Sequence, residues 1–239
     1  MITEKRKAEI LNILRDMEES LVVINGRSCS IAQLSVLADK ESKILRASND
    51  SLAPILRTAL VINWRESAMV SRYKRFKESY PSVSDLSKLQ RVLDSTAAIN
   101  FCKEYLNINA NENKPDANPK YVLLKTLTKG FLDYQKENSF LSEIEAIRHW
   151  AENLKISALN QDFIAKNKGV GIGVVENIRL NLGYSVIKPD RHVIGVMKQC
   201  FNLDIRFEFY NEFAESIGLS PRYLDCVLFE YGKLKKISA

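Results

Sequence analysis

The spacing of apolar residues is the feature that most restricts how this chain can fold. Along almost the whole sequence, apolar side chains recur every three or four residues, which is the period of an amphipathic helix. Gly and Pro, which interrupt helices, supply only 9 and 6 of the 239 residues. We therefore predict an all-α protein, and a chain of this length suits two lobes that share a cleft.

Helix-capping residues mark where several of these helices begin. Ser142 and Glu145 form a capping box, and Ser220 precedes a proline at the start of the last helix. Ser30 is placed to cap an early helix. The apolar stripes that should be buried on the first two helices are Ile10, Ile13, Leu14, Met17 and Leu21, and then Ile31, Leu34, Leu37 and Ile44.

Charge and cysteine content limit the classes of partner and cofactor that the chain can have. The 35 Lys and Arg residues against 29 Asp and Glu residues give a net charge of +6, which suits a polyanionic partner but also many ordinary cytosolic proteins. The 4 cysteines lack the spacing of a zinc site or an iron–sulfur cluster, so we expect reduced thiols and no metal. Without a signal segment or an apolar run of spanning length, we expect a cytoplasmic protein with no membrane partner.

The stretch KGVGIGVVENIRLNLGYSVIKPDRHVIGVM, residues 168–197, narrows the function most. Asn160 is placed to cap a short helix that ends at Gly169, and a second helix is predicted over about 172–182. Gly169 and Gly171 allow a tight turn in which Val170 fills the space between the two helices. The amides that begin the second helix then point outward with positive potential and suit a DNA phosphate.

An acidic residue follows this predicted hairpin. The extended piece YSVIKP leads to Asp190, which becomes the N-cap of a helix predicted over 191–200. The separation of Asp190 from Gly171 is 190 − 171 = 19 residues. An Asp at a helix N-terminus is favoured in its ionised form.

This order of elements resembles the helix-hairpin-helix DNA glycosylases, the superfamily of endonuclease III and the alkylbase glycosylases. Their signature is a Leu-Pro-Gly-Val-Gly hairpin, a second helix, a short extended link and Val-Asp-x-His at the start of a third helix. Gly169-Val170-Gly171 matches the hairpin, with Asn167-Lys168 where Leu-Pro is usual, and Asp190-Arg191-His192 matches the acid. The separation of hairpin and acid is also similar, and the specific match is confined to residues 168–197.

The resemblance implies a fold, a partner and roles for residues. It implies an all-α, two-lobed fold of the helix-hairpin-helix glycosylase type, with one discontinuous lobe of residues 1–80 plus 186–239 around a central lobe of residues 81–185. It implies a monomer that binds double-stranded DNA. The carboxylate of Asp190 would stabilise the cation-like sugar, or align water, as a damaged or modified base leaves. The residues implied in DNA contact are Lys168, Gly169, Val170, Gly171, Ile172, Gly173 and His192.

Two departures from the family pattern refine the expected activity. Members that also cut the DNA backbone carry a lysine where this chain has Gly173, and that amine forms a Schiff base with the sugar. The chain also lacks the four-cysteine cluster of endonuclease III. The resemblance therefore implies a monofunctional DNA glycosylase without lyase activity or an iron–sulfur cofactor, with alkylated purines as the leading substrate. It allows a monovalent cation at the hairpin.

Other interpretations stay open at this point. Asp190 could serve only as a helix cap, in a non-catalytic helix-hairpin-helix module that grips phosphate. A helical protein–protein scaffold is a third interpretation. His192 could contact a phosphate or orient Asp190, although a histidine in the first turn of a helix is more often solvated or bonded to backbone.

Aromatic residues offer a second set of alternatives. Trp64 and Trp150 could stack on a flipped base, but the core is the commoner place for a tryptophan and is the favoured interpretation of both. Tyr73 and Phe76 lie in the basic segment SRYKRFKE, which could follow a phosphate backbone. The alternative there is an exposed helix end whose two rings face the core.

Overall fold

The computed structural model describes residues 3–24, 26–61, 66–108 and 118–239, without the side chains of 66–68. The chain is mostly helical, as predicted. Its α-helices are α1 (Glu4–Glu19), α2 (Ile31–Ala47), α3 (Leu52–Val61), α4 (Glu66–Ser79), α5 (Leu86–Ser95), α6 (Ala98–Glu104), α7 (Pro119–Glu137), α8 (Glu143–Asn153), α9 (Ile172–Asn181), α10 (Arg191–Gln199), α11 (Tyr210–Ser216) and α12 (Pro221–Lys235). Short 3-10 helices cover Ile156–Gln161 and Phe207–Phe209.

A β-hairpin was not predicted and interrupts the helices near the start of the chain. Strand β1 (Leu21–Ile24) pairs antiparallel with β2 (Arg27–Ser30). Leu21, predicted to continue the buried stripe of α1, is instead a strand residue with 64% of its surface exposed. The sequence between the strands is Asn-Gly, the dipeptide that most strongly favours a tight hairpin, and it ends the helical pattern after Met17.

One compact unit combines residues 1–47 with residues 183–239. Its core is formed by α1, α2, α10, α11 and α12, and it includes Ile10, Leu14, Met17, Val193, Val196, Met197, Phe201, Leu224, Val227 and Leu228. Helix α2 packs along α12. It does so through the small buried residues Ser35, Ala38 and Ser42, which allow the close approach of two helices.

The buried face of α2 differs from the predicted one. Ile31 is buried as expected, but Leu37 and Ile44 have 59% and 71% of their surface exposed. The buried face of α2 therefore carries Ile31 and the small residues Ser35, Ala38 and Ser42, while Leu37 and Ile44 lie outside it. At the start of α2, Ser30 and Gln33 exchange side-chain bonds to each other's backbone amides at 3.2 and 3.0 Å, which is a capping box.

The other compact unit is residues 48–182. Helix α3 is buried on nearly all sides and packs against α4, α7 and α9. The predicted lobe boundary at residue 80 therefore lies inside this unit, because α3 and α4 belong with the helices that follow them. Among the residues that the structure describes, no helix combines the length and the apolar character needed to cross a membrane.

Candidate functional site

The segment before the hairpin turn is not the α-helix that the sequence predicts. Asn160 lies inside the 3-10 helix Ile156–Gln161 instead of capping a helix. The capping residue is Asp162, whose Oδ1 accepts the amides of Ile164 and Ala165 at 2.9 and 2.8 Å. Its Oδ2 accepts the indole N–H of Trp150 at 2.8 Å. Residues 162–169 consequently form a series of turns that starts at Asp162.

Of the two tryptophans predicted as candidates for base stacking, the structure describes Trp150 only. Trp150 is 3% exposed and packs edge to face on Phe131, with ring centroids 5.1 Å apart. Trp150 is therefore a core residue, and its indole N–H also holds the Asp162 carboxylate. Trp64 lies outside the described residues.

The basic second half of α4 uses its aromatic rings inside the protein. Phe76 is 2% exposed and packs on Tyr80 and Tyr105. The hydroxyl of Tyr73 donates a hydrogen bond to the carboxylate of Asp50. Burial, followed by this bond and the charge of Asp50, raises the pKa of Tyr73. Both rings thus have structural contacts rather than faces open to a nucleic acid.

The hairpin turn spans Lys168 to Gly173 and leads into α9. Gly169 has a φ of +89°, which L-residues rarely adopt, and Val170 is 5% exposed, so that its side chain is buried as predicted. Gly171 is the N-cap of α9 in an extended conformation (φ −94°, ψ −179°), and no side chain caps the helix. Lys168 is exposed.

The first amides of α9 have no partner within the helix, as at any α-helix N-terminus. The amides of Val174 and Val175 bond to the carbonyl of Gly171 at 3.0 and 3.2 Å. The amides of Ile172 and Gly173 precede these bonds and lie outside the helical pattern. This end of α9 therefore presents N–H groups with the positive potential of a helix N-terminus.

Nothing in the described protein requires glycine at 171 or 173. A Cβ atom built on either residue would meet no atom within 4 Å, and neither has a positive φ. Glycine in a helix interior costs about 1 kcal/mol relative to alanine, so Gly173, in the first turn of α9, lowers helix stability by up to this amount and serves no contact with the described residues that needs a glycine. Both glycines keep the surface over the first-turn amides open to close approach from outside.

Asp190 is the N-cap of α10, as predicted. Its Oδ1 accepts the amides of His192 and Val193 at 2.8 and 3.0 Å. Its Oδ2 has no hydrogen bond to any residue in the described part of the chain, and the side chain is partly exposed. The carboxylate therefore has one oxygen held by backbone and one that is available to a ligand.

The ring of His192 is engaged within its own unit. Its Nδ1 is 2.7 Å from the carbonyl oxygen of Ile237, so Nδ1 carries the proton and donates it. The ring also packs edge to face on Phe229, with centroids 5.9 Å apart. His192 holds Asp190 through its backbone amide, not through its imidazole.

Asp225 fixes the link that carries Asp190, and it was not among the predicted residues. Its Oδ1 accepts the amide of Lys188 at 2.8 Å, while the amide of Asp190 donates to the carbonyl of Lys188 at 2.8 Å. Its Oδ2 pairs with Arg222 at 3.0 Å. Burial raises the pKa of Asp225 to about 6 and the charge of Asp190 adds to this, while Arg222 and the Lys188 amide oppose it. The pairing of Arg222 with Asp225 was the only local signal for this role.

The hairpin and Asp190 belong to different compact units, residues 48–182 and residues 1–47 with 183–239. Within the described ranges, no cluster of three or more His, Cys, Asp or Glu side chains could hold a metal ion. No family model, no curated protein and no solved structure matches this chain.

Proposed function

We propose that this chain is a monofunctional DNA glycosylase of the helix-hairpin-helix type. Residues 168–173 bind duplex DNA, and Asp190 promotes hydrolytic excision of a damaged or modified base. The observation that carries the proposal is the open glycine turn at the uncapped start of α9. Within this turn, Gly173 lowers helix propensity, and no contact in the described protein requires a glycine there.

The hairpin supports the DNA-binding half of the proposal. Phosphate oxygens bind well to amides at a helix N-terminus, because the N–H groups and the helix dipole both favour an anion. A side chain at 171 or 173 would stand between the phosphate and the Ile172 and Gly173 amides. Such a contact positions the protein on DNA without reading base sequence.

The arrangement of Asp190 supports the catalytic half. Two backbone amides hold Oδ1, and a carboxylate that accepts such bonds is favoured in its charged form. Oδ2, which has no hydrogen bond to the residues that the structure describes, is the atom that would face the cation-like sugar or a water molecule as the base departs. Asp225 fixes the preceding link through Lys188, so the carboxylate is positioned before a substrate arrives.

Gly173 accounts for the absence of lyase activity in the proposal. Strand cleavage by this family requires an amine at that position, and glycine supplies none. The alkylbase glycosylases share this absence, which makes alkylated purines the leading substrate.

A non-catalytic DNA-binding module is the second candidate. The bonds of Asp190 Oδ1 to His192 and Val193 are what a helix cap alone would make. In that case the hairpin still binds phosphate, but no base is released.

The test is release of free bases from alkylated duplex DNA by the wild type and by Asp190→Asn. Asparagine caps helices as well as aspartate does, so the variant should keep its fold and its DNA affinity while its rate falls by about two to four powers of ten. Asp204→Asn, an exposed acid in the same unit, is the matched control and should keep the wild-type rate. Borohydride added to abasic DNA should trap no adduct.

If the protein binds DNA but releases no base from alkylated, deaminated or oxidised substrates, it is the non-catalytic DNA-binding module and not a glycosylase. Equal rates for the wild type and Asp190→Asn would remove Asp190 from the chemistry. A borohydride-trapped adduct would overturn the monofunctional assignment.

A further inference from the structure

A groove on the 48–182 unit lies between α7 and the turns that precede the hairpin. Its volume is about 480 Å³, and its two walls come from residues 125–137 and residues 163–167. Gly130 lets the walls approach closely, because a Cβ at that position would lie 2.6 Å from the Ile164 side chain. The groove is therefore built by a close contact between the two elements.

The contacts across the groove hold its two walls together. Phe163 stacks on Tyr134 with centroids 4.5 Å apart. Phe163 and Ile164 both lie against Gly130, one helical turn earlier in α7. Lys166 and Asn167 line the groove together with Lys125 of α7.

The charged residues of the groove differ in position and in partners. Its acids, Asp133 and Glu137, flank Tyr134 on α7, while Lys125 precedes Tyr134 by more than two helical turns and Lys166 lies on the other wall. Lys129 is paired with Asp133. Over the described ranges, Lys125 and Lys166 form no ion pair, and both are exposed. These two uncommitted ammonium groups define the basic end of the groove.

The basic end also adjoins the hairpin. Lys166 and Asn167 are followed directly by the exposed Lys168 and by the turn at Gly169. A strand whose phosphate lies on the first-turn amides of α9 would need cations for its neighbouring phosphates. Lys166 belongs to the turns that lead into the hairpin, and Lys125 lines the same groove from α7.

We infer that the basic end of this groove, defined by Lys125 and Lys166, is a second phosphate-binding site for the DNA backbone held by the hairpin. The inference rests on the proposed DNA binding and extends its footprint from the turn to α7. The ligand chemistry is phosphodiester, recognised by charge and without base readout. Glu137 repels the strand from the other end of the groove, since Asp133 is paired with Lys129.

The test is the salt dependence of binding to undamaged duplex DNA, followed by fluorescence anisotropy. Each lysine that contacts a phosphate contributes about 1 to the slope of log affinity against log salt concentration. The variant Lys125→Gln/Lys166→Gln should therefore lower the slope by about 2. The control Lys103→Gln/Lys136→Gln removes the same charge from exposed positions of the same unit and should leave the slope near that of the wild type.

A third variant, Gly171→Glu, separates this inference from the proposed function. If the wild type binds with a steep slope, Gly171→Glu weakens binding and both lysine pairs have equal effects, the groove inference is overturned while DNA binding through the hairpin stands. If the wild type shows no salt-dependent affinity, or if Gly171→Glu binds as the wild type does, the proposed hairpin interface fails and the groove inference falls with it.

Discussion

Burial determines the chemistry of Asp225, the residue that holds the link to Asp190. The side chain is 6% exposed and bonds to the Lys188 amide and to Arg222. Its pKa is raised to about 6, first by burial and also by the charge of Asp190. The ordinary value for an aspartate is about 3.9. The folded protein therefore binds a proton at Asp225 more readily than the unfolded chain does.

This difference makes a prediction about stability and pH. Between about pH 4 and pH 6 the folded state holds more protons at Asp225 than the unfolded state, so the contribution of this group to the free energy of unfolding falls as pH rises. The unfolding free energy of the wild type minus that of Asp225→Asn should fall by about 3 kcal/mol over this window and then stay level. Chemical denaturation at several pH values measures it.

The other acids titrate in both proteins, so their effect on stability cancels when the unfolding free energy of Asp225→Asn is subtracted from that of the wild type. Asp204→Asn, an exposed acid, serves as the control and should show a much smaller change. A difference that rises between pH 4 and pH 6 would mean that the fold stabilises the ionised form of Asp225, contrary to this account.

Residue roles that depend on near neighbours could be predicted from the sequence. Asp190, Ser142 and Ser30 cap helices as expected, because an N-cap bonds to amides two or three residues ahead. Asp225 could not be predicted in the same way. Its partner, the Lys188 amide, is far away in sequence and is brought to it only by the packing of α10 on α12.

At the scale of elements, Asp162 organises the approach to the hairpin. One oxygen holds the amides of Ile164 and Ala165, and the other holds the indole of Trp150. Trp150 is itself fixed in the core by Phe131. The position of the turns at 162–169 is thus anchored by a buried side chain of α8.

The variant Asp162→Ala should loosen these turns without unfolding the unit. It removes three hydrogen bonds to a charged group, each of which contributes about 1.5–3 kcal/mol. Hydrogen exchange at the amides of Ile164 and Ala165 should accelerate by about tenfold or more, while the amides of α3 should keep their protection. Asp94→Ala, an exposed acid on α5, is the control. Unchanged exchange at Ile164 and Ala165 would show that the turn does not depend on Asp162.

Elements were predicted well where local periodicity decides the structure and poorly where packing decides it. The starts of α8 and α12 follow from their caps, Ser142 and Ser220. The buried face of α2 does not follow from its apolar spacing, because Ser35, Ala38 and Ser42 pack on α12 while Leu37 is exposed. The Asn-Gly sequence between β1 and β2 favours a hairpin, but the helical spacing of the apolar residues around it led to the prediction of helix.

For the whole molecule, the sequence predicts a mostly helical chain, and the structure has one. Its compact units end at residues 47 and 182 rather than at 80 and 185. A boundary is set by which helices bury one another, and the packing of α3 on α7 and α9 is a contact between distant segments. The apolar residues on all sides of α3 indicate that it is buried, but they do not identify the helices that pack around it.

The central claim is that the glycine turn at the start of α9 binds the phosphate backbone of DNA. The affinity of Gly171→Ala/Gly173→Ala for duplex DNA, measured beside its free energy of unfolding, tests it most directly. Both added methyl groups have open space within the protein. Alanine is a poorer N-cap than glycine at 171 and a better helix former at 173, so the free energy of unfolding should stay within about 1 kcal/mol of the wild type. Affinity should fall by about tenfold or more, since the methyl groups block the amides that a phosphate approaches. A folded variant that binds DNA as tightly as the wild type would contradict the account.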